Sequence, residues 1–211
     1  KTYRMKNISK SIKGKKVFFG SGGRNNIIIK YDDISVLKVI PNFKKDPHTI
    51  QKMYNDQKVI QFYKFFTKYF VLKNITPHIV GYYDNYKLTD ITTLFPKKCM
   101  SIDEKLLTSE DKIDYVDDML CSLKTRYDYG MINKQADIIV LENCPESIGN
   151  YLSYMLSLKN IRYKSFLEIF LDRIIFQLLF TLTAIQNKYP NFIHNDLFLR
   201  NILGKYVDSY K

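Results

Sequence analysis

Near the C-terminus the chain reads His194-Asn195-Asp196-Leu197-Phe198-Leu199-Arg200-Asn201, set between two short apolar runs. Asp196 and Asn201 are the residue types that phosphoryl transfer needs at one place. A carboxylate can orient an attacking hydroxyl and accept its proton. A side-chain carbonyl oxygen close by can hold a cation against phosphate charge. His194 has a structural role in this reading, bracing the loop, and no catalytic one.

Residues that could hold the other end of a phosphate donor must come from elsewhere in the chain. Val17-Phe18-Phe19-Gly20-Ser21-Gly22-Gly23-Arg24-Asn25-Asn26-Ile27-Ile28-Ile29 reads as strand, glycine turn, strand. Gly20 and Gly22 let a backbone approach phosphate with no Cβ in the way. The next strand, Ile34 to Ile40, carries Lys38 inside an apolar, β-branched run. An ammonium there is costly to bury unless it meets an anion. Taken singly, the glycine cluster also fits an ordinary hairpin, and Lys38 a solvated strand face.

Glycine turn, lysine strand and His-x-Asp loop follow one another in the order of a protein kinase. On these motifs the chain resembles a divergent eukaryotic-type protein kinase, similar to serine/threonine-protein kinases encoded by large DNA viruses. The resemblance implies an α+β, two-lobe fold: a small antiparallel-sheet lobe, then a helical lobe that is C-terminally incomplete. Residues 1–143 would form the small lobe, with an insertion at about 94–135, and residues 144–211 the start of the large lobe through the catalytic loop. Lys38 would project into a cleft between them, facing Asp196 and Asn201.

The same resemblance implies ATP and Mg²⁺ as cofactors and a protein hydroxyl as acceptor. Asp196 and Lys38 would be the catalytic pair, and Asn201 the metal ligand. Gly20, Ser21, Gly22, Gly23, Ile27, Val36 and Lys38 would line the nucleotide. Leu141, at the end of the apolar run from Ala136, would be the gatekeeper, and the backbone of Glu142 and Cys144 would meet the adenine edge. Departures from the pattern are visible. Asn25 replaces its third glycine. Gln57, with Asp56 as the competitor, stands where a helix-borne Glu should pair with Lys38. Phe198 takes the place of the Lys two residues after the catalytic Asp, which removes a charge from the γ-phosphate side. Asp208-Ser209-Tyr210 lacks the glycine of a second metal-binding turn, so the chain looks like a piece of a longer protein, with little or no transfer by itself. Three other functions stay open: a pseudokinase or nucleotide-binding scaffold, a small-molecule phosphotransferase, and a nucleic-acid binder.

The elements that must position these residues follow from periodicity. Strands fall within about 10–45, and a helix from Thr49 to Tyr69. Another strand starts at Thr76–Tyr83. A local helix at Ile113–Lys124 lies inside the long polar stretch. Two more helices cover Ile148–Leu158 and about Tyr163–Asn187, the second ended by Pro190. Its apolar stretch Phe166–Ile185 reads as a buried helix, since Glu168, Asp172, Arg173 and Gln177 argue against a membrane span. Hydrophobic residues make up 45% and aromatics 15%, enough for a core. The net charge is +12 and the pI about 9.4. That balance favours anionic partners, but the charges are dispersed, so nucleic acid is an addition to the motif reading rather than a substitute. Cys99, Cys121 and Cys144 form no CxxC pair and suggest no disulfide framework. His48, His78 and His194 lack metal-site spacing. A reducing compartment is the default on the cysteine count, and the resemblance to viral kinases implies an intracellular setting, host cytoplasm or virion.

Overall fold

The structure is a computed structural model that describes residues 27–44, 58–99, 115–157 and 162–205. It mixes helices with antiparallel sheet pairings and divides into two compact units. One comprises residues 1–60 and 83–141, the other residues 61–82 and 142–211. The strand and glycine turn expected before residue 27 and the start of the helix expected from Thr49 lie outside the described residues.

The first unit is built on a four-stranded sheet. Its strands are β1 (Ile27–Lys30), β2 (Ser35–Phe43), β3 (Tyr82–Leu88) and β4 (Ile132–Glu142), in spatial order β1-β2-β4-β3. β1 and β2 are antiparallel neighbours joined by a tight turn. Asp32 makes that turn: its Oδ1 accepts from the Ile34 and Ser35 amides at 3.0 and 2.7 Å and from the Ser35 hydroxyl at 2.7 Å. Local side-chain bonding of this kind is why Asp favours turns over strands. Strand side chains alternate between faces. Ile27, Ile29, Leu37, Val39, Ala136, Ile138 and Val140 therefore share one face. They form one core with Leu88, with Ile91 and Leu94 of a 3₁₀ turn, and with Leu120 and Leu123 of helix α2 (Tyr115–Asp128). Gly130, at φ +71°, turns α2 into β4. A left-handed residue just past the last helical turn is the usual helix stop, and glycine adopts it without Cβ strain.

The second unit is mostly helical. Helix α1 covers described residues 58–66 and widens into a π-helical turn over Thr67–Val71. Helix α3 (Ile148–Ser157) and the long α4 (Arg162–Lys188) follow, with the short pair β5 (Glu146–Ser147) and β6 (Leu203–Gly204) beside them. Thr76 is fully buried, and its hydroxyl lies 3.1 Å from that of Thr181 on α4. Thr181 already spends its proton on the Gln177 carbonyl, at 2.8 Å. A hydroxyl has one proton, so Thr76 is the donor of the pair. Its oxygen in turn accepts from the His78 amide at 3.2 Å.

Three expectations need correction. The strand expected from Thr76 begins at Tyr82 instead, because Thr76 and His78 are committed to the hydrogen bonds just described. Phe166–Ile185 is helical but not buried throughout. Phe176 and Leu179 are 67% and 59% exposed, whereas Thr181 and Ile185 are buried. Apolar residues occur on every side of this helix, and its neighbours in the chain cover only part of the circumference. Finally, Cys99 and Cys121 form a disulfide, with their Cα atoms 5.7 Å apart. No short Cys spacing announced it; α2 carries Cys121 back to Cys99. Among the described residues, no helix is long and apolar enough to cross a membrane.

Candidate active site

The loop from His194 to Asn201 is held at both ends. Upstream, α4 closes through Tyr189, whose amide donates to the Ile185 carbonyl at 2.8 Å. The Phe192 amide then donates to the Tyr189 carbonyl at 2.9 Å. Downstream, β6 pairs with β5, and the Ile148 amide donates to the Ile202 carbonyl at 2.8 Å. Gly149 lies against the loop: a Cβ there would sit 3.4 Å from the Arg200 amide nitrogen. The first turn of α3 therefore braces the 3₁₀ turn Leu199–Asn201.

Inside the loop the chain reverses sharply. Asn195 adopts φ +59°, a conformation that Asn tolerates better than most residues. The Asp196 amide donates to the His194 carbonyl at 2.8 Å. The Asn201 amide group donates twice to Asp196, to its carbonyl at 2.8 Å and to Oδ2 at 2.9 Å. Asp196 and Asn201 are thus brought together, and both are exposed. Since the Asn201 nitrogen serves Asp196, its Oδ1 is left as an acceptor. Beside the carboxylate this makes an all-oxygen donor set, the kind a hard cation such as Mg²⁺ takes. The residues present fit that group.

Arg200 belongs to the same cluster. Its Nη2 stands 3.7 Å from Asp196 Oδ1, and its guanidinium lies 4.3 Å over the Phe198 ring. In the sequence Arg200 stands two residues after Phe198, one of two places, with the basic N-terminal region, from which a charge could stand in for the missing Lys. The stacking that fixes it needed the loop geometry.

Lys38 is half-buried in the middle of β2. It pairs in register with Ile28, and Val36 with Lys30, so Val36, Lys38 and Ile28 share a face. Ile27 pairs with Val39 and lies on the opposite, core face, 3% exposed. The structure does not bring Ile27 to the side of Val36 and Lys38; Ile28 has that place. Strict alternation counted from Lys38 through the turn was the signal that could have found it. Gly20, Ser21, Gly22, Gly23, Asp56 and Gln57 lie outside the described residues.

Leu141 is buried at the end of β4. The Glu142 amide donates to the Gly81 carbonyl at 2.8 Å, so of its backbone groups the carbonyl is the one left for a ligand. The Glu142 carboxylate makes a clasp that sequence reading missed. Oε2 accepts from the Gly81 amide at 3.3 Å, and Oε1 meets Lys205 Nζ at 3.1 Å. Residues 61 and 63 positions apart in sequence gave no local signal for it.

Cys144 sits beside this clasp. Burial, then the Glu142 charge, push its thiol up to about 11, while Lys205 pulls the other way. Thiolate is the nucleophile, so at pH 8 only on the order of one thiol in a thousand is reactive. Alkylation of Cys144 by iodoacetamide, followed by mass spectrometry, should be slow at pH 8 and rise about tenfold per pH unit up to pH 10. Glu142→Gln removes a raising charge and should speed the reaction. Lys205→Ala removes a lowering one and should slow it. A fast, pH-independent reaction would contradict this electrostatic account.

Comparison with known proteins adds to this geometry. No protein-family model matches the chain, and no solved structure matches it significantly. Two proteins of Acanthamoeba polyphaga mimivirus do. The chain is 37% identical to "Putative serine/threonine-protein kinase R301" over 215 aligned residues, 90% of this chain and 51% of that protein. It is 34% identical to "Putative serine/threonine-protein kinase R400" over 141 residues, 67% of this chain and 27% of that protein. The chain thus spans about half the length of the first relative, and less of the second. With its Asp196–Asn201 loop, the chain is similar to these kinase-like proteins of a large DNA virus.

Proposed function

We propose that this chain carries the nucleotide-handling residues of a serine/threonine protein kinase with a two-lobe, kinase-like fold, residues 1–143 contributing the small lobe and 144–211 the start of the large one. The observation that carries the reading is the Asp196–Asn201 pair, joined by a 2.9 Å hydrogen bond inside one braced loop. When bound, Mg²⁺ neutralises phosphate charge. Asn201, beside the Asp196 carboxylate, offers the oxygen that would hold it. Asp196 orients the hydroxyl of a protein side chain and takes its proton as the new oxygen–phosphorus bond forms. The bond from the γ-phosphorus to the ADP oxygen breaks, and ADP leaves with that electron pair. Lys38 holds the α- and β-phosphates, and Gly20, Ser21, Gly22 and Gly23 cover them. The Glu142 carbonyl and the Cys144 amide meet the adenine edge beneath Leu141, with Val36 and Ile28 on the apolar side of the ring. The kinase names of the viral relatives support this reading. The host cytoplasm or the virion is the compartment that goes with it.

One observation favours a second reading, a nucleotide-binding pseudokinase. Phe198 puts an apolar ring where the kinase pattern has a Lys. Both readings require nucleotide binding, and turnover separates them. Titration calorimetry of the chain with ATP, with and without Mg²⁺, tests the common part. Lys38→Ala and Asn201→Ala should each weaken MgATP by about tenfold or more, the loss expected for a charge-assisted contact. In Asn201→Ala the benefit of added Mg²⁺ should shrink as well. Failure of the unaltered chain to bind ATP would end both readings.

A further inference from the structure

We propose that the aromatic groove between α1 and the end of α4 is a docking site for an acidic peptide segment of a partner protein, one that carries a large apolar side chain flanked by Asp or Glu. The inference does not depend on the phosphoryl-transfer reading, since the residues that line the groove lie outside the loop from His194 to Asn201. Phe62, Phe65 and Phe66 of α1 form one wall, and Ile185, Tyr189 and Phe192 the other, around a volume of about 470 Å³. Sites that accept compact apolar groups have this size and lining. The walls are braced before anything binds. The Phe65 and Tyr189 rings meet edge to face at 5.2 Å, and Phe66 and Phe192 at 5.7 Å. The Gln186 side chain donates to the Phe192 carbonyl at 3.3 Å. A groove fixed in this way loses little freedom on binding. Phe62 stacks on Phe66 at 6.2 Å and is 55% exposed, so more than half of an apolar ring stands uncovered at the rim.

The charge around the groove has one sign. Residues 58–73 and 185–192 hold Lys58, Lys64, Lys68, Lys73 and Lys188 and no Asp or Glu. Lys188 lines the groove, with its ammonium 4.9 Å from the centroid of the Tyr69 ring, and the Lys68 ammonium lies 5.1 Å from the same centroid. Two cations gathered on one ring repel each other, and among the described residues neither forms a salt bridge. A carboxylate arriving beside them relieves that repulsion. Its charge would set orientation and encounter rate more than affinity. The lining decides between a peptide and a nucleic acid. Lys188 and Asn191 aside, it is aromatic, aliphatic or proline. A nucleic-acid strand needs cations along its backbone and free ring faces for its bases. Here the rings pack on one another, and what remains is a cavity for an inserted side chain.

The test is selection of short random peptides displayed on phage against the immobilised 211-residue chain, with affinities of the selected peptides then measured by fluorescence anisotropy. The enriched sequences should share a large apolar residue next to Asp or Glu. Phe62→Ala should weaken their binding by about tenfold, the loss typical of an interface anchor. Lys68→Glu should weaken it by about tenfold at low salt and by less at high salt. Both side chains are exposed, so both variants should keep the fold, which circular dichroism checks. No enriched pattern, or a pattern without acidic residues, would overturn the inference. So would acidic peptides that bind Phe62→Ala as well as the unaltered chain, since attraction to the net charge of +12 alone explains them. A single-stranded oligouridine that displaces the peptides and binds more tightly would assign the surface to nucleic acid and overturn it too.

Discussion

Phe70→Ala should destabilise the helical unit by about 3–5 kcal/mol, the usual cost of deleting a buried aromatic ring. Phe70 is fully buried in the π-helical turn. Its ring centroid lies 5.7 Å from that of Phe66, 6.3 Å from Phe65 and 6.3 Å from Tyr189. The ammonium of Lys188 sits 5.8 Å over the same ring, so the residue also anchors the last turn of α4. Removing it leaves a cavity that is not easily closed, since the Thr76–Thr181 bond ties the segment after α1 to α4. Typical domains are stable by only about 5–15 kcal/mol, so the loss is a large fraction of the total. Urea unfolding followed by circular dichroism measures it. Phe62, on the same helix, is the control: it is 55% exposed, and Phe62→Ala should change stability by no more than about 1 kcal/mol. Equal effects from the two substitutions would mean that the aromatic cluster is not the core of this unit.

That contrast between Phe62 and Phe70 shows where sequence reading reaches its limit. Helix period placed Phe62 inside the helix expected from Thr49 to Tyr69 and left Phe70 just beyond its end. Which one is buried depends on what packs against them, and a single chain does not state that. Helices with clear ends were legible: Ile148 to Ser157 and Arg162 to Lys188 fall within a residue or two of expectation, because Pro190 and polar breaks mark them. β4 was found through Ala136 to Leu141 but begins earlier, at Ile132, since Asn133, Lys134 and Gln135 carry no apolar signal on an edge of the core. The mispositioned fourth strand, the Cys99–Cys121 bridge and the Glu142–Lys205 clasp share one cause. Each depends on partners distant in sequence, which local pattern does not encode. The loop from His194 to Asn201 was legible for the opposite reason. Its chemistry is local, with both key groups within one turn. Ile27 lies on the face opposite Val36 and Lys38, and in a strand one residue is the difference between faces.

Asp196→Asn gives the largest expected functional effect. In the whole protein it should lower phosphoryl transfer by about 10²- to 10⁴-fold, the typical contribution of a positioned general base. The substitution is informative because it should preserve the loop. Asn201 donates to the carbonyl oxygen of residue 196, which any residue supplies, and to Oδ2. An Asn side chain at 196 can turn its own oxygen to that donor. The volume is nearly unchanged, and the bracing by α3 and β5 does not involve the side chain. What disappears is the negative charge and the ability to take a proton. MgATP affinity should accordingly move only a few fold, and by the same reasoning Arg200 should lose its attraction to residue 196 but keep its seat on Phe198. The fall should appear in kcat rather than KM for nucleotide, read from transfer of labelled γ-phosphate to a protein substrate. Full activity in Asp196→Asn would show that another group accepts the proton. A whole protein that binds MgATP yet transfers no phosphate before any substitution would favour the pseudokinase, and the oxygen pair of Asp196 and Asn201 would then serve nucleotide binding alone.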